Sequence, residues 1–164
     1  MTAKQGTVQR LVVTSSESFD SVVARFEAAV GHPKMSEFRN MIGAAQSYSE
    51  MEAIIRGSLG RSGFVEFARF DLGAILRKEQ GKETAKSLRF LIGNPLVMKE
   101  MVKHIPDAGS YAPVTVLIDE RPEGVHLSYD TMTGFLAPYR SPDALRVARD
   151  LDLKVERLLN EAAA

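Results

Sequence analysis

Residues 8 to 14 alternate between two sides of the chain, with Val8, Arg10 and Val12 on one and Gln9, Leu11 and Val13 on the other. A period of two predicts a strand. The period then lengthens. Phe19, Val22, Val23, Phe26 and Ala29 keep helical spacing behind Ser18, a good N-cap, and Gly31 stops the run. Met35, Phe38, Met41, Ile42 and Ala45 predict one face of a short helix. A second follows through Met51, Ile54, Ile55 and Leu59, opened by a capping box from Ser49 to Glu52 and broken by Gly57, Gly60 and Gly63. Phe64 to Phe70 reads as a strand, Leu72 to Gln80 as a helix capped by Asp71 and ended by Gly81, and Leu88 to Gly93 as another strand. Asn94 and Pro95 open a helix carrying Leu96, Met101, Val102 and Ile105. Pro113 to Asp119 and Val125 to Tyr129 form a hairpin turning through Arg121-Pro-Glu-Gly124. Ser141, Pro142 and Asp143 start the longest helix, whose stripe is Ala148, Leu151, Val155, Leu158 and Leu159.

This order predicts an α+β fold. The economical form is a two-layer sandwich: a mostly antiparallel sheet of about five strands, helices largely on one face, and a long C-terminal helix across it. Residues 1–164 read as a single domain with a helical insertion at about residues 32–61. Leu11, Val13, Leu88, Phe90, Ile92, Val114, Val116, Ile118, Val125, Leu127 and Tyr129 fall on one face of the strands and should meet the helices. The other face carries Arg10, Val12, Arg89, Leu91, Thr115, Leu117, His126 and Ser128. Arginines beside isolated aliphatics suit an interface or an anion pocket, the bland alternative being a solvated face; Arg10, Arg89, Leu91, Leu117 and His126 are the candidate interface residues. A homodimer closed through that face is the expectation, with Glu66 as an acceptor for the arginines. His126 would then gain its charge beside arginines.

Composition narrows the function classes. Lysine plus arginine and aspartate plus glutamate both number 21, so there is no long-range pull toward nucleic acid or an anionic membrane, and neither is an expected partner. Cysteine is absent, which removes disulfides, thiolate catalysis and zinc–cysteine sites. No apolar run approaches the ~20 residues that cross a bilayer. The first residues are polar, without an apolar signal core, and a cytoplasmic location is the expectation.

No reaction centre stands out. Asn94 and Pro95 suit a ligand at a helix N-terminus, but cap chemistry alone explains both residue types. Tyr129 followed by Asp130, with Tyr111 ahead of the fourth strand, offers an acid–base pair. The competing account packs both rings and lets Asp130 cap the next turn with Thr131 and Thr133. His32, His104 and His126 share no helical metal spacing, so no metal site is expected. Asp150 and Asp152 read as helix surface charges. The leading expectation is a small-ligand-binding or self-associating domain, its ligand residues drawn from Asn94, Pro95, Tyr111, Tyr129 and Asp130. Met35, Met41 and Met51 supply adaptable surface in the insertion. The alternative is an enzyme using Tyr111, Tyr129 and Asp130 near Asn94, a reading that requires those side chains to converge in one pocket. The cofactor, if any, stays unknown.

Gly93-Asn94-Pro95-Leu96, Tyr111-Ala112-Pro113, Tyr129-Asp130 and Leu151-Asp152 carry one further observation. With the strand–Asn-Pro–helix–strand–strand–helix order, they make the chain resemble the domain-of-unknown-function 302 family over roughly residues 7 to 30 and 62 to 160. The resemblance implies a TATA-binding-protein-like sheet with helices on one face. It also implies that residues 32–61 are an elaboration, because shorter members pass directly from the first helix to the second strand. It leaves the activity open.

Overall fold

Six side chains set the starts of the helices in the computed structural model, which describes residue 3 and residues 5–164. Ser18 accepts from the Ser21 amide at the head of α1 (Phe19–Ala29). Ser47 accepts from Glu50 ahead of α3 (Tyr48–Ser58), and Asp71 from Ala74 ahead of α4 (Leu72–Gln80). Asn94 accepts from Leu96 ahead of α5 (Pro95–Val102). Thr131 opens α6 (Met132–Leu136), and Ser141 opens α7 (Pro142–Ala163). Each satisfies an amide that a helix start leaves without a partner. The remaining helix, α2 (Met35–Ala44), has no side-chain cap.

Five strands form one sheet in the order β1-β5-β4-β3-β2, antiparallel throughout. They are β1 (Arg10–Ser15), β2 (Val65–Asp71), β3 (Ser87–Gly93), β4 (Val114–Arg121) and β5 (Gly124–Asp130). The fold is α+β, as the pattern predicts. Phe90, Ile92, Val116, Ile118 and Leu127 are fully buried against α1, α5, α6 and α7. Phe26 of α1 packs on Phe90 with ring centroids 4.8 Å apart. α4 departs from the one-sided arrangement, because its Leu72 reaches over the open face. Among the described residues no helix is long and apolar enough to cross a membrane.

The chain leaves for α2 and returns from α3 at one point. Gly31 and Gly60 both donate to the Phe64 carbonyl, at 2.8 and 3.0 Å, and Ser62 donates to Ala29 at 3.0 Å. A Cβ on Gly31 would stand 2.0 Å from the Ser58 oxygen, and one on Gly60 would stand 2.4 Å from the Ala29 oxygen. Only glycine lets the two backbones pass so closely.

Three local expectations need correction. The α3 cap is Ser47, not Ser49; Glu50 accepts from the Gln46 amide, one residue ahead of the cap, at 2.8 Å, and the helix runs through Gly57. Met41, placed on one apolar face with Phe38, does not share its burial: it is 51% exposed, and Phe38 is the buried residue of α2. α6 was not visible in the pattern, since five residues are too few to show a helical period.

Candidate functional site

The open face of the sheet is built from residues paired across strands. Val12 lies opposite Ser128, Ser128 opposite Leu117, Leu117 opposite Arg89 and Arg89 opposite Phe70. Leu91 lies opposite Thr115 in the next row. Above them is a cavity of about 580 Å³. Leu91, Thr115, Leu117 and Ser128 line its floor, and Arg10 and Asp130 border it on one side and Leu72 of α4 on another. Its rim is aromatic: the Tyr111 ring stacks on Phe135 at 4.8 Å with 7° between planes. The Tyr111 hydroxyl lies 3.2 Å from that of Tyr139, and this contact pushes the Tyr139 phenol up to about 12.

The two arginines are in different states. Arg10 holds Asp130 in a fork at 2.7 and 2.8 Å. That hydrogen bond, aided by the guanidinium charge, keeps the Asp130 carboxyl below its ordinary range. Arg89 has no carboxylate partner among the described residues. Its Nη2 reaches Thr115 Oγ1 at a long 3.4 Å, and its guanidinium sits 5.9 Å from the centre of the Phe70 ring.

The side chains of Tyr129 and Asp130 are on opposite faces of the sheet. Consecutive strand residues point to opposite faces. Asp130 faces Arg10 on the open side, while the Tyr129 ring is 2% exposed in the core. The Tyr129 hydroxyl donates to Asp152 Oδ1 at 2.7 Å. Burial, followed by the Asp152 charge, raises this phenol far above the ordinary tyrosine value. Asp130 does not cap the following turn as the sequence suggested; Thr131 does.

Asn94 is committed at both ends of its amide. Oδ1 accepts from the Leu96 amide at 2.9 Å and Nδ2 donates to the Gly63 carbonyl at 3.1 Å. Beside Asn94 and Pro95 lies a second cavity of about 190 Å³, lined by Phe67, Met98, Met101, Pro113 and Leu151 among others. Of the four residues the enzyme alternative needs, Tyr111, Tyr129 and Asp130 border one cavity and Asn94 the other, but the Tyr129 hydroxyl is turned away from its cavity into the core.

His126 is 9% exposed on the open face, at the end remote from Tyr111. Glu123 Oε1 stands 3.0 Å from its Nε2, and Asp119 is its partner in the β4 register. Its charged form would meet carboxylates, not the arginines expected beside it. Glu66 is likewise engaged on the other face, by Arg69 at 2.9 Å and His32 at 3.5 Å, and is no acceptor for Arg10 or Arg89.

A family model described as "Domain of unknown function DUF302" matches residues 42–162. The chain belongs to the DUF302 family. No curated protein matches it. Among solved structures, the crystal structure of an uncharacterized conserved protein DUF302 from Bacillus stearothermophilus superposes with a TM-score of 0.65. That match has 13% sequence identity and covers 93% of this chain and 97% of the other. At that identity it is the DUF302 fold that is shared, and no activity follows from it.

Within this DUF302 chain, the buried polar centre is Asp152, which the sequence reading took for a surface charge. It accepts from Tyr129, from the Met132 amide at 2.8 Å, and from the Thr133 amide and hydroxyl at 3.1 and 2.6 Å. Helical spacing held the signal. Asp152 stands four residues after Ala148 and three before Val155, on the buried stripe of α7. Among the described residues no group of three or more His, Cys, Asp or Glu side chains could hold a metal ion.

Proposed function

We propose that this protein binds a small carboxylate on the open face of its sheet. The observation that carries the reading is Arg89, a guanidinium without a carboxylate partner among the described residues, bordering a cavity of about 580 Å³. Arginine presents a planar fork that matches a carboxylate. The charge count favours a monoanion over a phosphate dianion, because Asp130 already neutralises Arg10 and repels a second negative charge. The Tyr111–Phe135 stack offers an apolar wall to the rest of the molecule. The acid–base alternative has less support, since its residues do not converge.

Calorimetric titration with benzoate tests this. Arg89→Ala should weaken binding at least about tenfold, the scale of one charged hydrogen-bonding group, with Arg89→Lys between the two. Equal binding by wild type and Arg89→Ala would sink the reading.

A second reading, self-association through the same side, is favoured by its exposed apolar groups: Val12 at 49%, Phe70 at 47% and Ile75 at 69%. With a net charge of zero, nothing holds copies apart. Sedimentation velocity at micromolar concentration should give a dimer that Ile75→Asp converts to monomer. A wild-type monomer would remove this second reading and leave the carboxylate site standing.

A further inference from the structure

We infer that the apolar cavity beside Asn94 and Pro95 takes the hydrocarbon part of the carboxylate held at Arg89, so that the ligand class is an aliphatic carboxylate. This rests on the reading of Arg89 given above. The cavity measures about 190 Å³, and Phe67, Val97, Met98, Met101, Pro113 and Leu151 line it. Apolar cavities of ~150 Å³ stay dry and bind molecules the size of benzene. The one polar side chain at its edge, Asn94, has both ends of its amide engaged, by Leu96 and Gly63. No side-chain donor or acceptor remains there for a polar ligand, whereas burying hydrocarbon is favourable. The two methionines can adjust to a chain of varying shape.

The two cavities share a wall at the start of β4. Ala112, Pro113 and Val114 border both of them. Arg89 and Gly93 lie on the same strand, four residues or roughly 13 Å apart at the usual rise. An extended chain leaving the Arg89 guanidinium along β3 therefore reaches the end of the sheet where the apolar cavity begins. Gly93 is closely walled at that end: a Cβ there would lie 3.3 Å from the Phe67 ring and 3.4 Å from Pro113 Cβ, so any side chain would narrow the way further.

Calorimetry of the full chain with n-alkyl carboxylates, from acetate to decanoate, tests the inference against benzoate as reference. Once the chain is long enough to pass Pro113, affinity should rise about fourfold per added methylene, equivalent to about 0.8 kcal/mol for each buried CH₂. Met98→Trp, checked for an unchanged melting temperature, should flatten that rise while leaving benzoate binding intact. Gly93→Ala, a smaller change in the same space, should blunt it too. If benzoate and short carboxylates bind through Arg89 but affinity ignores chain length, the inference is overturned and the Arg89 reading survives. A chain-length gain undiminished in both variants would place the hydrocarbon elsewhere and also overturn it. Failure of every carboxylate removes the Arg89 reading and this inference with it.

Discussion

Asp152→Ala should destabilise the fold by about 3–5 kcal/mol, a larger loss than most single substitutions cause. The reason is the number of groups left behind. Asp152 is 9% exposed and satisfies the Tyr129 hydroxyl, the Met132 and Thr133 amides, and the Thr133 hydroxyl. Each buried donor left without an acceptor costs about 1–3 kcal/mol, although the Met132 amide keeps a second acceptor in the Tyr129 hydroxyl at 3.2 Å. The two amides belong to the first turn of α6, five residues that cannot hold a helix by themselves. Asp152 therefore ties β5, α6 and α7 into one unit, with its charge at the N-terminal end of a short helix. Tyr129→Phe is the matched control. It removes one of the four partners and leaves three, so its loss should be nearer 1–2 kcal/mol, within the usual range for a hydrogen bond to a charged group. Urea unfolding of both variants decides the matter. A loss under about 1 kcal/mol for Asp152→Ala would mean that water replaces the carboxylate and that the network is not the tie described.

Most of the architecture was legible because its signals are local. Ser18, Asp71, Asn94 and Ser141 start the helices the pattern assigned to them, and Gly81 ends α4 in the left-handed conformation with φ 65°. Strand period separated the two sheet faces: Phe90, Ile92, Val116 and Leu127 are buried while Arg10 and Arg89 are not. Long-range pairing was what the pattern could not supply. Arg10 finds Asp130, 120 residues away, and no spacing rule links them. Helical spacing puts Asp152 on the buried stripe of α7, but its partners Tyr129 and α6 are brought to it only by the sheet. The two capping serines of the α3 region compete within two residues, and the choice of Ser47 follows from the return contact of Glu50 to Gln46. The open-face cavity was half legible. Its floor residues Leu91, Thr115, Leu117 and Ser128 follow from strand alternation. Its rim does not, because the Tyr111–Phe135 stack joins the loop before β4 to α6, an element with no sequence signature.

Leu151→Ala should cost about 2–5 kcal/mol, the range for truncating a buried leucine. α7 is the clamp of the fold, and its stripe of Ala148, Leu151, Val155, Leu158 and Leu159 is buried across the apolar face of the sheet. Leu151 is 4% exposed and also borders the 190 Å³ cavity, so removing its side chain enlarges a void instead of letting the neighbours close over it. That places the expected loss above the bottom of the range, since the penalty grows with the cavity left behind. Leu153 supplies the internal comparison. It is the same residue type on the same helix, two positions on, but 59% exposed. Leu153→Ala should stay within about 0.5 kcal/mol of wild type, because both share helix propensity and differ only in what they bury. The contrast between the two alanines isolates packing from any intrinsic effect on the helix. Equal losses at the two positions, or a loss below about 1 kcal/mol at Leu151, would show that α7 gains its stability from somewhere other than the sheet beneath it.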